Sequence, residues 1–129
     1  MAVRERPLSP HLQVYRPQLT SSTSIMHRFT GMILSLAAVF LVLGLMAVAH
    51  SADAYSSYRA LMGSGLGVAI FIAFTFSLSY HLLNGIRHLV WDMGRGLDIP
   101  SAYASGWTVI IGAVILTGLI AALALGGAA

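Results

Sequence analysis

The stretch Ser79-Tyr80-His81-Leu82-Leu83-Asn84-Gly85-Ile86-Arg87-His88-Leu89-Val90-Trp91-Asp92 closes a long apolar run and brings histidine, arginine and aspartate into it. At about 100° per residue, a helix places His81, Gly85, His88 and Asp92 on one stripe. Ionisable side chains inside a membrane segment are costly, so they face a bundle, a cavity or a ligand and not lipid. That polar stripe is the candidate functional face, and the rest of the chain is read outward from it.

Composition sets the class. The chain is 57% hydrophobic and 9% charged, with a mean hydropathy of +0.82, whereas about 25% charged is usual for a soluble domain. The predicted fold is all-α, an integral membrane protein. The absence of cysteine excludes disulfides, zinc ribbons and cysteine-ligated iron–sulfur clusters, so a metal would need histidine. Every basic residue is arginine, and none forms the basic run with interleaved aromatics that would indicate nucleic acid.

Residues 29–49 carry no charge, which matches the roughly 30 Å hydrocarbon core at the helical rise. Further spans are predicted at about 62–90 and 103–125, giving three crossings. Residues 50–59, rich in serine and tyrosine, read as a polar loop, and 94–100 as a helix break. Gly63, Gly65 and Gly67 open the second span and permit close helix approach. Residues 24–129 thus form one transmembrane domain. Residues 1–23 contain Pro7, Pro10 and Pro17 and read as an irregular arm. The apolar stretch after it is too long and lacks a small-residue cleavage site for a secretory signal, and the arm is too short and proline-broken for a transit peptide. The expected location is therefore a bacterial inner membrane, with the mitochondrial inner membrane second.

Arginines set the expected orientation. Arg4, Arg6, Arg16 and Arg28 precede the first span and Arg87 and Arg95 follow the second, against Arg59 alone in the first loop. The positive-inside rule places the N-terminus in the cytoplasm or matrix and, after three crossings, the C-terminus outside. Ser24, His27 and Arg28 then share the inner side with His81, Arg87, His88 and Asp92.

His81 lies about 9 Å deeper than Arg87, where a charged imidazole is expensive and a neutral one ligating a metal is economical. The plainer alternative is a neutral histidine bonded to a neighbouring helix. Gly85, one turn below on the same stripe, leaves room for a flat macrocycle, and Arg28, Arg87 and His88 offer donors for its acidic edge. His88 is about 10.5 Å along the axis from His81, too far to share an iron with it. His27 is expected level with His88 and not with His81, so a second axial ligand would come from another polypeptide.

The segments Arg6-Pro7-Leu8-Ser9-Pro10-His11-Leu12-Gln13-Val14-Tyr15 and Ser24-Ile25-Met26-His27-Arg28-Phe29-Thr30-Gly31, together with the block running from His81 to Asp92, resemble the cytochrome b subunits of succinate dehydrogenase, respiratory complex II. The resemblance covers the whole chain in order and spacing. It implies a three-helix subunit that, with a second small membrane-anchor subunit, holds an iron–sulfur subunit and a flavoprotein subunit at the inner face. It implies haem b shared between the anchors, with His81 as this chain's axial ligand and Gly85 packing beside it. It also implies a ubiquinone site bordered by Ser24 and Arg28, with His27, Arg28 and His88 near the haem propionates or a proton path.

The residues are compatible with these roles, since a serine hydroxyl can donate to a quinone carbonyl and an arginine can stabilise charge arising on reduction. Simpler alternatives stand beside them: Ser24 as a helix cap, Arg28 as a snorkelling anchor, and Asp92 as a partner of Arg95 or Arg87. No flavin or dinucleotide motif is present, so succinate oxidation belongs to another chain. A transporter subunit using the His81–Asp92 stripe as a proton path, and an anchor binding no cofactor, are the competing functional classes.

Overall fold

The computed structural model describes residues 16–126; the segment carrying Ser9, Pro10, His11 and Tyr15 lies outside them. Four helices follow in order: α1 (Leu19–His50), α2 (Ala52–Gly63), α3 (Gly65–Asp92) and α4 (Ile99–Gly126). Three of them, α1, α3 and α4, are long and apolar enough to cross a membrane. Their lengths of 32, 28 and 28 residues exceed the roughly 20 residues that hydrocarbon requires. All three therefore extend beyond the apolar core.

The polarity of the bundle is inverted relative to a soluble domain. Thr23, Thr30, Ser77, Ser79 and Asn84 are its largest fully buried side chains, while Leu66, Leu119 and Leu123 lie exposed. Lipid is as apolar as leucine, so burying leucine between helices gains little, and interfaces form from small and hydrogen-bonding residues. α3 is the central element: α4 packs most extensively on it, α1 packs on it next, and α1 meets α4 less. Tyr80, Val109 and Ala113 form the small apolar core where α3 meets α4.

The boundaries differ from the sequence reading in instructive ways. α1 begins at Leu19, well before the charge-free run, with Gln18 at its N-cap. Ser24 is consequently inside the helix and not its cap. The polar stretch after His50 is helix α2 and not a loop. The Ser51 hydroxyl accepts the Ala54 N–H at 3.1 Å, and Asp53 lies in the first turn, where a carboxylate favours the positive end of the helix dipole. α2 folds back on α1, donating Tyr58 Oη–H to the Phe40 carbonyl at 3.0 Å, with the Tyr58 ring lying over Gly44.

Among the glycines that open the second span, Gly63 and Gly65 face open space, whereas Gly67 is pressed against the backbone of α2. A Cβ at Gly67 would lie 2.6 Å from Met62 Cα, and backbone cannot step aside as a side chain can. Gly67→Ala is therefore expected to cost about 1–3 kcal/mol, read as a lower thermal inactivation midpoint of the assembled complex. An unaltered midpoint would show that the α2–α3 bend gives way freely.

The predicted break at 94–100 is present. Gly94 and Gly96 have φ of +72° and +68°, the left-handed conformation that glycine adopts without strain. Pro100 sits within the first turn of α4, where its missing N–H is tolerated. Asp98 caps that turn, accepting the Ser101 N–H at 3.0 Å. The Ser101 backbone N–H, then its hydroxyl, holds the Asp98 carboxyl below the usual carboxylate range.

Candidate functional site

The histidines predicted to share a stripe converge at the end of the bundle where α1 begins and α3 finishes. His27 from α1 inserts between the two histidines of α3. Its ring stacks on His81, with centroids 3.9 Å apart and an interplanar angle of 11°, and lies 5.3 Å from His88. The expectation that His27 is level with His88 and not His81 is thereby corrected. The early start of α1 continues its first turns deep against α3, so His27 reaches both. Trp91 extends the series, 5.2 Å from His88 and edge-on to it.

His81 is anchored to α1 through one nitrogen. Its Nδ1 lies 3.1 Å from the His27 carbonyl oxygen and 3.3 Å from Thr30 Oγ1. A carbonyl only accepts, so Nδ1 carries the hydrogen and Nε2 carries the lone pair. Nε2 makes no hydrogen bond among the described residues. It is also not one of the buried polar atoms left without a partner, which are His27 Nδ1 and Asn84 Nδ2. The His81 side chain as a whole is half-buried.

Among the described residues, no group of three or more histidine, cysteine, aspartate or glutamate side chains is arranged to hold a bare metal ion. An iron macrocycle needs only one nitrogen from each side. Metal-bound histidines typically donate their other N–H to a carbonyl or carboxylate, and His81 does so. The orphaned His27 Nδ1 beside it is a second polar atom with an unused capacity. These residues fit an iron macrocycle held through His81 Nε2.

Gly85 and Gly31 contribute differently from what the stripe suggests. A Cβ on Gly85 would meet only His27 Cε1, at 3.9 Å, an ordinary contact. A Cβ on Gly31 would come within 3.1 Å of His81 Cε1. The close approach of imidazole to bare backbone therefore occurs on α1, at a residue whose place in the sequence gave no sign of it.

Ser24 and Arg28 lie one turn apart on α1 and share a face now that the helix is known to start early. Ser24 is half-buried and Arg28 exposed, at the same end of the bundle as His27 and His88. Arg28 retains an accessible guanidinium; Arg87 does not.

Arg87, expected to offer a donor beside the histidines, is turned toward the junction of α1, α3 and α4 and is 5% exposed. It donates through Nε to Ser105 Oγ at 2.9 Å and through Nη2 to the Ala102 carbonyl at 2.8 Å. Nη1 donates to Thr23 Oγ1 at 3.0 Å and Asn84 Oδ1 at 3.3 Å. The guanidinium also stacks 4.0 Å above the Trp91 ring. Tyr80 completes the junction, donating to the Thr23 carbonyl at 3.0 Å. With Arg87 committed there and Asp92 exposed, the expected Asp92–Arg87 pair is not formed.

Sequence reasoning missed this junction as a unit. Its signal was present, because Tyr80, Asn84 and Arg87 repeat at helical spacing just as the histidines do. A cavity of about 340 Å3 between α3 and α4 adjoins it, lined by Arg87, Trp91, Ser101 and Ser105 among others. That cavity lies on the face of α3 opposite the histidine stripe.

Comparison with known proteins identifies the family of the chain. Residues 2–120 match the succinate dehydrogenase/fumarate reductase transmembrane subunit family. The chain is 44% identical over 111 residues to the succinate dehydrogenase cytochrome b556 subunit of Paracoccus denitrificans, covering 86% of this chain and 85% of that one. It is 39% identical over 116 residues to the cytochrome b556 subunit of Rickettsia prowazekii, covering 90% of each. The mitochondrial cytochrome b560 subunit of Mus musculus is 38% identical over 120 residues, covering 92% of this chain and 71% of that protein. An inverted three-span bundle with a histidine cluster at one end, matched along nearly its whole length by these subunits, belongs to the succinate dehydrogenase/fumarate reductase transmembrane subunit family.

Proposed function

We propose that this membrane subunit of succinate dehydrogenase binds haem b through His81 and, with Ser24 and Arg28, contributes to the site where ubiquinone is reduced. The observation that carries the reading is the placement of His81 Nδ1 3.1 Å from the His27 carbonyl oxygen, an acceptor. A hydrogen on Nδ1 serves the His27 carbonyl and Thr30 Oγ1, which leaves Nε2 as the nitrogen to ligate iron.

The proposed topology places the N-terminus on the inner side, a bacterial inner membrane being the favoured location, and the residues before α1 as an arm toward the soluble subunits. The partners are a second small anchor subunit, which would share in holding the haem, an iron–sulfur subunit and a flavoprotein subunit. When bound, the haem would supply a one-electron carrier. The chain's own residues do the remaining work. Ser24 donates its hydroxyl hydrogen to one quinone carbonyl and fixes its orientation. Arg28 stabilises the negative charge that develops as the quinone takes two electrons from the iron–sulfur subunit. Two protons from the inner aqueous side complete the quinol. His27 and His88, with Arg28, offer donors to the haem propionates.

In the assembled complex, Ser24→Ala is expected to lower ubiquinone reduction roughly tenfold and Arg28→Ala roughly a hundredfold. Succinate oxidation by an artificial acceptor, which bypasses the membrane site, should be preserved. Parallel loss in both assays would mean defective assembly and would remove these residues from the quinone site.

A further inference from the structure

We infer that Thr30 is a positioning residue for the haem ligand, holding the His81 imidazole through the second half of a bifurcated hydrogen bond. This rests on the reading of His81 as that ligand. Thr30 is 1% exposed, and its Oγ1 lies 2.9 Å from both the Met26 and His27 carbonyl oxygens. Both are acceptors, so the single hydroxyl hydrogen points into the fork between them. The lone pairs of Oγ1 then face His81 Nδ1 at 3.3 Å. The Nδ1–H is shared between this oxygen and the His27 carbonyl at 3.1 Å.

Most other buried hydroxyls in the bundle behave differently, Thr23 being the exception because it also accepts from Arg87. Thr75, Ser77, Ser79 and Thr117 each donate to a carbonyl of their own helix, one turn back. Such back-bonding satisfies a hydroxyl in an apolar medium without any further role. Thr30 does this and also meets a side chain of another helix, and that side chain is the His81 imidazole. Its β-branch restricts the torsion that places the oxygen, and the neighbouring Gly31 admits the ring to within reach. The ring is therefore bounded by His27 on one face, by Gly31 at Cε1 and by two acceptors at Nδ1. Nε2 is the atom left to point away.

An acceptor on the distal N–H makes a metal-bound imidazole a stronger donor, which favours ferric iron. Thr30→Val keeps the shape and removes the oxygen. In the purified complex, the variant is expected to retain haem with its midpoint potential shifted upward and the low-spin ferric electron paramagnetic resonance signal displaced. Thr30→Ser should restore both to wild-type positions. A Thr30→Val potential and spectrum equal to wild type would overturn the inference, as would a Thr30→Ser variant shifted as far as valine. If the valine variant does not assemble, Thr30→Ala deletes the same oxygen without added bulk and is read identically. His81→Ala separates the two levels: haem retained there refutes the ligand assignment, whereas haem lost there with Thr30→Val unchanged refutes only the role of Thr30.

Discussion

His81→Ala is expected to abolish the b-type signal in a reduced-minus-oxidised spectrum of the purified complex, because no other described side chain presents a free imidazole nitrogen in the same position. His27 is the nearest candidate to substitute for it, yet its Nδ1 is buried without a partner and its ring lies parallel to His81. Its nitrogens consequently cannot take the position of His81 Nε2 without unstacking. His88→Ala serves as the comparison and should retain a haem signal, since its ring is at the outer end of the series, against Trp91. Retention of an unaltered spectrum in His81→Ala would leave the histidine cluster as interhelical packing. A proton-pathway subunit predicts no b-type signal even in the wild-type protein, so the same spectrum taken before substitution separates the two functional classes.

Arg87→Ala is expected to have the largest effect on stability. The substitution withdraws donors from Thr23, Asn84, Ala102 and Ser105 at once. Thr23 and Asn84 are buried while the Ala102 carbonyl still accepts from Ser105, so at about 1–3 kcal/mol for each buried acceptor a total on the order of 2–5 kcal/mol follows. The expected result is a sharply reduced yield of assembled complex and a lower thermal inactivation midpoint. Arg87→Lys keeps the charge but has no planar fork to reach three helices together, and should fall between the two. Wild-type stability in Arg87→Ala would mean that water satisfies the junction and that α1 and α4 are held on α3 by packing alone.

Both expectations depend on how polar residues are distributed in an apolar bundle. Interhelical hydrogen bonds in membranes average about 0.6 kcal/mol, so an isolated bond such as Tyr58 to Phe40 contributes modestly. A single side chain serving α1, α3 and α4 is different, because its loss disconnects elements that share little apolar surface. α1 and α4 make few direct contacts, and Arg87 is a principal link between them.

The membrane class, three apolar spans and the histidine stripe were legible in the chain because they depend on local quantities: hydropathy over a helix length, and the roughly 100° step that aligns His81, Gly85 and His88. The same periodicity placed Ser24 and Arg28 on one face. α2 was misread because serines and tyrosines favour loops by composition, whereas a capping serine and a tyrosine resting on Gly44 make a helix of them. Depth estimated along one helix could not place His27, since that depends on how far α1 slides against α3. The partner of Arg87, the tautomer of His81, and the positions of Thr30 and Gly31 were likewise decided only in the folded bundle. Hydropathy is a property of each segment and survives in one dimension; register, approach distance and the direction of a hydrogen bond are properties of pairs of helices.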